Sequence, residues 1–215
     1  MTIDHALEPD FEYLRRIHGE PDALMRELET RGEKDGIPIV SREVGRFLSV
    51  MASAMLASNI LEIGTAYGCS TLWMARAQPE TGRIWTIDPD VKRTDIARDF
   101  FQRAGVADRI EIFNQPALSV MGRLPKGIYD IVLIDALKEE YSAYLKLAVP
   151  LVKHSGVIIV DNLLWHHKAA AQTRGDDELT TTSIRAFNEE FLRHPAFNAT
   201  ILPLGDGVGV AAKTA

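Results

Sequence analysis

The chain has 215 residues, 46% of them hydrophobic and 25% charged, with a net charge of −6 at neutral pH. This is the composition of one soluble globular domain with a proper core, and the acidic balance gives no electrostatic reason to expect a nucleic acid or an anionic membrane as partner. The lone Cys69 excludes an internal disulfide and a cysteine metal cluster, no apolar run reaches the roughly 20 residues of a membrane helix, and the polar start Met1-Thr2-Ile3-Asp4-His5 lacks a signal-peptide pattern, so the expected compartment is the cytoplasm.

Before Asn59 the sequence is charged and helical. Ser41 can cap a helix that carries Val44, Phe47, Leu48, Met51 and Met55 at helical spacing, a pattern of core packing. From Asn59 onward strand and helix signals alternate. Strands are expected at 60–63, 83–87, 109–113, 131–134, 157–160, 200–204 and 208–212. Pro150 is expected to kink or end a helix beginning near Glu140. Gly205-Asp206-Gly207 is a tight turn, so the last two strands should pair antiparallel. The alternation predicts an α/β fold: a doubly wound, seven-stranded sheet, mostly parallel with an antiparallel last strand, and helices on both faces.

Two strands stop on a carboxylate. Asp130-Ile131-Val132-Leu133-Ile134-Asp135 and Val157-Ile158-Ile159-Val160-Asp161-Asn162 are aliphatic runs of the kind buried on both faces of a parallel sheet. Their acidic ends lie about 26 residues apart, the length of one crossover. Ligands of open α/β sheets bind beyond the carboxyl ends of the strands, so Asp135, Asp161 and Asn162 should converge on one crevice. Three oxygen donors without a nearby Cys suit a hard cation such as Mg²⁺.

The first strand runs into Leu61-Glu62-Ile63-Gly64-Thr65-Ala66-Tyr67-Gly68-Cys69-Ser70, a strand, a glycine-bearing turn and a helix start. Such a turn brings a ligand against bare backbone. Its spacing is E-x-G-x-x-x-G, not the G-x-G-x-x-G of dinucleotide binders. Asp88 ends the second strand about twenty residues beyond Gly68, where a carboxylate accepts hydrogen bonds from ribose hydroxyls. Together these features point to an adenosine-containing ligand.

With these segments in view, the chain resembles the cation-dependent class I O-methyltransferases, the group of catechol and caffeoyl-CoA O-methyltransferases and their small bacterial relatives. The resemblance is carried by Val40-Ser41-Arg42-Glu43-Val44-Gly45-Arg46-Phe47-Leu48, the 62–70 loop, Thr86-Ile87-Asp88, Gln115-Pro116-Ala117-Leu118, Asp135-Ala136-Leu137-Lys138, Asp161-Asn162-Leu163-Leu164-Trp165 and Leu202-Pro203-Leu204-Gly205-Asp206-Gly207. It implies one domain over 1–215, with a Rossmann-like core over 59–215 and N-terminal helices over 1–58 covering the acceptor site. It further implies S-adenosylmethionine as methyl donor, a divalent cation (Mg²⁺, or Mn²⁺ or Ca²⁺), a phenolic small-molecule acceptor and a homodimer. Carried over residue by residue, the donor contacts fall on Val40, Glu62, Gly64, Thr65, Ser70, Asp88, Ala117 and Asp135, with Glu62 at the ammonium end and Asp88 at the ribose. The metal ligands fall on Asp135, Asp161 and Asn162. Leu137 replaces the second Asp of the frequent D-A-D-K, and His166-His167 stands where caffeoyl-CoA enzymes tend to carry Asn-Gly.

The chemistry of such a site needs a phenol oxygen to lose its proton. A lysine beside a dication is a candidate base, and Lys138, three residues after Asp135, would meet the same oxygen if helical geometry begins there. Trp165, His166 and Asn188 are the candidate acceptor contacts, Tyr141 and Tyr144 read as packing residues, and Arg174-Gly175-Asp176-Asp177-Glu178 reads as a mobile, solvated loop. Two other readings compete with a small catechol-like diol acceptor. A hydroxyuridine oxygen of tRNA suits the chain length but lacks a basic patch. A non-catalytic scaffold would have no need of Asp135, Lys138, Asp161 and Asn162 together.

Overall fold

The computed structural model describes residues 4–171 and 179–214. The acidic run 174–178 lies outside the described residues. Three helices lead: α1 (Asp4–His18), α2 (Ala23–Asp35) and α3 (Arg42–Ala54). The second and third begin on a side chain that accepts an otherwise unpaired backbone N–H: Asp22 from Met25 at 3.0 Å and Ser41 from Val44 at 3.3 Å. Helix α3 buries Val44 and Leu48 as its spacing predicts, and Arg42 ties it to α2 through Glu29 at 2.8 Å.

The core then alternates β1 (Asn59–Ile63), α4 (Cys69–Ala77), β2 (Arg83–Ile87), α5 (Val91–Arg103), β3 (Ile110–Phe113), α6 (Ala117–Met121), β4 (Tyr129–Ile134), α7 (Tyr141–Leu151), β5 (Val152–Val160), α8 (Leu179–Arg193), β6 (Phe197–Leu202) and β7 (Val208–Lys213). The sheet order is β3-β2-β1-β4-β5-β7-β6, and only β7 runs against its neighbours. This is the doubly wound, seven-stranded arrangement expected from the alternation. Successive strand residues face opposite sides. Ile60, Ile131, Leu133 and Ile159 pack under α2 to α5, while Leu61, Val132, Ile134 and Ile158 pack under α6 to α8.

The differences from the expected bounds have local causes. Strand β5 starts early because Val152 pairs with Tyr129 ahead of a register irregularity. Strand β6 stops at Leu202, before Pro203, which has no N–H to give the ladder. Pro150 sits one residue from the end of α7, so the helix closes there without a mid-helix kink. The two acids of β4 and its exit serve opposite edges. Asp130 accepts the Ser58 and Asn59 amides at 2.9 and 2.7 Å and pairs with Lys153 at the base of the sheet. Asp135 lies past the other end, at the crevice between β1 and β4 where the strand order reverses.

Candidate active site

The loop after β1 is held by close backbone approach. Gly64 has φ of 106°, and a Cβ there would stand 2.1 Å from the carbonyl oxygen of Asp135. Gly68 has φ of 84°, and a Cβ there would stand 2.4 Å from the Phe101 ring. Both the backbone conformation and the space admit only glycine. Gly64→Ala should therefore destabilise the fold by about 2 kcal/mol or more through strain and overpacking. Denaturant unfolding checks this; an unchanged midpoint would mean that the contact relaxes freely.

Glu62 is sealed under this loop. Its carboxylate accepts Ser70 and Thr71 hydroxyls at 2.5 Å each and the Thr86 hydroxyl at 2.6 Å, and it has no exposure. Burial raises its carboxyl, the three hydroxyl bonds pull it down and nearby Asp135 raises it, which together leave it at about 7. In this geometry Glu62 ties β1, β2 and the start of α4 together. Thr71 and Thr86, which complete its shell, were not singled out by the sequence pattern. Asp88 accepts the Ala66 amide at 2.8 Å and the Asp90 amide at 2.9 Å, so the acid after β2 is bound to the glycine loop. Thr65 and Ser70 are buried in the same loop, Val40 precedes α3, and Ala117 opens α6 beyond β3.

Beyond the ends of β4 and β5, Asp135, Asp161 and Asn162 lie close together around Lys138. Lys138 Nζ stands 2.9 Å from Asp135 Oδ1 and 2.7 Å from Asn162 Oδ1. It arrives by a different route from the expected helical turn. Leu137 is extended, with ψ of 117°, and a short 3-10 turn begins only at Lys138. Asn162 has φ of 63°, a conformation that asparagine tolerates better than most residues. Asp161 is buried, and its carboxyl is pushed up to about 7 by burial and by Asp135. Tyr141 is fully buried, and its hydroxyl donates to the Asp161 carbonyl at 2.9 Å, so this packing residue also fixes a site loop. Among the described residues, no group of three or more His, Cys, Asp and Glu side chains is placed to hold a metal; the set here is two aspartates and an amide.

Trp165 and His166 follow on the same loop, with rings 5.5 Å apart. Asn188 donates from α8 to the Leu163 carbonyl at 2.8 Å, while its Oδ1 and the Trp165 Nε1 are buried without a partner. The residue that sequence reading missed is Asp206. Its Oδ1 accepts the His166 amide at 2.6 Å. Gly205-Asp206-Gly207 was legible as a turn; its place at the carboxyl edge of the sheet follows from the strand order and was the available signal. No helix among the described residues is long and apolar enough to cross a membrane.

A glycine loop after the first strand, an acid after the second and a reversed seventh strand define a Rossmann-like ligand-binding sheet. Comparison narrows this. The family model described as O-methyltransferase matches residues 18–214. A catechol O-methyltransferase of Mycobacterium tuberculosis is 38% identical over 163 residues, 76% of this chain and 73% of that protein. One from Niastella koreensis is 32% identical over 208 residues, 94% of this chain and 90% of that protein. A solved O-methyltransferase from Bacillus cereus in complex with SAH is 30% identical, with a TM-score of 0.84 over 94% of this chain and 96% of that one. The chain belongs to the O-methyltransferase family and is an S-adenosylmethionine-dependent O-methyltransferase of the catechol and caffeoyl-CoA type.

Proposed function

We propose that this enzyme methylates one hydroxyl of a small aromatic vicinal diol, with a divalent cation held by Asp135, Asp161 and Asn162 and with Lys138 as the proton acceptor, and that it works as a cytoplasmic homodimer. One observation carries the reading. The Lys138 ammonium bridges Asp135 Oδ1 and Asn162 Oδ1, next to the buried Asp161, so two of the three candidate ligands already hold a positive charge. Hard oxygen donors of this kind fit Mg²⁺ or Mn²⁺ and leave room for a bidentate diol.

When bound, a dication at these oxygens favours ionisation of a coordinated hydroxyl. The remaining work belongs to the chain. The 62–70 loop and Asp88 would hold the donor over β1 and β2, and the Gly64–Asp135 contact fixes that loop against the end of β4. Trp165, His166 and Asn188 would wall the acceptor. Lys138 Nζ would take the proton of the attacking hydroxyl, and the methyl would pass from sulfonium sulfur to oxygen in line. Holding both partners at once supplies much of the rate.

Two measurements test the assignment. Methyl transfer from labelled donor should appear on a catechol panel and not on bulk tRNA; labelled tRNA with inert catechols would overturn the acceptor. Asp88→Ala should weaken donor binding by roughly 1–3 kcal/mol, because the donor's hydroxyls and the Ala66 amide lose their acceptor. Unchanged affinity in calorimetry would remove Asp88 from the donor site.

A further inference from the structure

We propose, resting on the donor reading above, that Tyr67 and Asp35 form a clasp that ties the 36–41 segment down beside the donor loop, so that Tyr67 is a positioning residue for retention of the methyl donor. Tyr67 lies in the middle of the glycine loop and is 5% exposed. Its hydroxyl donates at 2.8 Å to Oδ2 of Asp35, the last residue of α2. Arg31, one helical turn earlier, donates from Nε to the same oxygen at 2.5 Å and holds the carboxylate in place. The loop is itself fixed on both sides of Tyr67. The Ala66 amide donates to Asp88 Oδ2 at 2.8 Å, with Ala66 at φ of 44°, a region that non-glycine residues avoid. Gly68 leaves no room for a side chain against Phe101. Tyr67 therefore reaches from a fixed loop to the end of α2.

Past Asp35 the chain leaves the helix. Gly36 takes φ of 65°, and Ile37 gives its amide to the Gly32 carbonyl at 2.9 Å. Pro38 disfavours the helical region for Ile37, and the chain stays non-helical until Ser41 caps α3. The far end of this segment rests on the β6–β7 turn, where a Cβ on Gly205 would stand 2.7 Å from Val44 Cγ2 and 3.3 Å from Ser41 Oγ. The loop after β1 and the β6–β7 turn stand at the same edge of the sheet, and β4 and β5 lie between β1 and β7 in the strand order. Three strand spacings are about 14 Å, within the reach of residues 36–40 at about 3.3 Å each. The segment is thus a strap with one end on the donor loop and the other on the turn. Val40 is buried in it, shares one hydrophobic cluster with Tyr67, and is a position that the family resemblance assigns to the donor. Lifting the strap from a bound donor requires the Tyr67–Asp35 bond to break.

The test follows release of labelled S-adenosylmethionine into excess unlabelled donor, well below the melting temperature of each protein. It compares the wild type, Tyr67→Phe, Asp35→Ala, Asp35→Asn and the double variant of Tyr67→Phe with Asp35→Ala. Tyr67→Phe keeps the ring and removes the hydroxyl. It should speed release roughly 3- to 10-fold, the scale of one hydrogen bond. Asp35→Ala should do the same, and the double variant should be no faster than either single one. Asp35→Asn keeps an oxygen for the hydroxyl and should stay near wild type, because the Arg31 pair it gives up is exposed and contributes little. Hydrogen exchange gives a readout that needs no donor: the amides of 36–41 should exchange faster in Tyr67→Phe while those of β4 keep their rates. Unchanged release in Tyr67→Phe, whatever its melting temperature, would overturn the proposal. So would additive effects in the double variant, Asp35→Asn as fast as Asp35→Ala, or unchanged exchange over 36–41. If the wild type binds no S-adenosylmethionine, the donor reading falls and the proposal with it; if it binds donor and the variants release at its rate, the proposal falls alone.

Discussion

Lys138→Ala should lower the methylation rate by roughly 10²–10⁴, the usual scale for loss of a general base. The expectation rests on placement: Nζ is held between Asp135 Oδ1 and Asn162 Oδ1, where a diol oxygen would meet both a cation and a base. Donor affinity should change little, because the donor loop and Asp88 make no contact with Lys138 among the hydrogen bonds of the site. Single-turnover rates and calorimetry separate the two effects. Raising the pH should rescue the variant only in part; complete rescue would leave the cation as the sole activator, and a wild-type rate at neutral pH would reduce Lys138 to a structural counter-charge.

Removing divalent cations should abolish turnover altogether. EDTA should stop methyl transfer, Mg²⁺ or Mn²⁺ should restore it, and donor binding should survive chelation. Full activity in EDTA would rule the mechanism out. The requirement should steepen in acid. Asp161 is pushed up to about 7 by burial and by Asp135, so below that pH a proton competes for the same oxygen. The sign is fixed by the direction of the shift: apparent cation affinity should fall as pH drops through 7 and level off above it.

Much of this architecture was legible because long-range order here follows from local patterns. Aliphatic runs ending on Asp135 and Asp161 read as buried parallel strands, and their parallel pairing puts both acids at the same edge of the sheet. The glycines at 64 and 68 announced a backbone approach that the structure shows as contacts with Asp135 and Phe101. What escaped were relations between segments distant in sequence. Nothing near Glu62 in the chain says that Thr86 will close its shell. Nothing in a Gly-Asp-Gly turn says which loop its carboxylate will meet, since that depends on β7 inserting between β5 and β6. The route of Lys138 was misjudged for a simpler reason: a spacing of three residues suits a helical turn and an extended residue followed by a 3-10 turn alike.

The bonds between the loop after β5 and the β6–β7 turn bear on how acceptor preference can be re-engineered. Leu163 and Leu164 lend their amides to main-chain carbonyls of the turn, and His166 lends its amide to the Asp206 side chain. Transplanting the turn alone from a relative without an acid at position 206 would leave the His166 amide without its acceptor. Transplanting both together would carry the partners across intact while leaving Gly64, Glu62 and Asp88 untouched. The two segments are thus best exchanged together, and chimaeras cut at their four boundaries are the natural library for altering which acceptor is methylated.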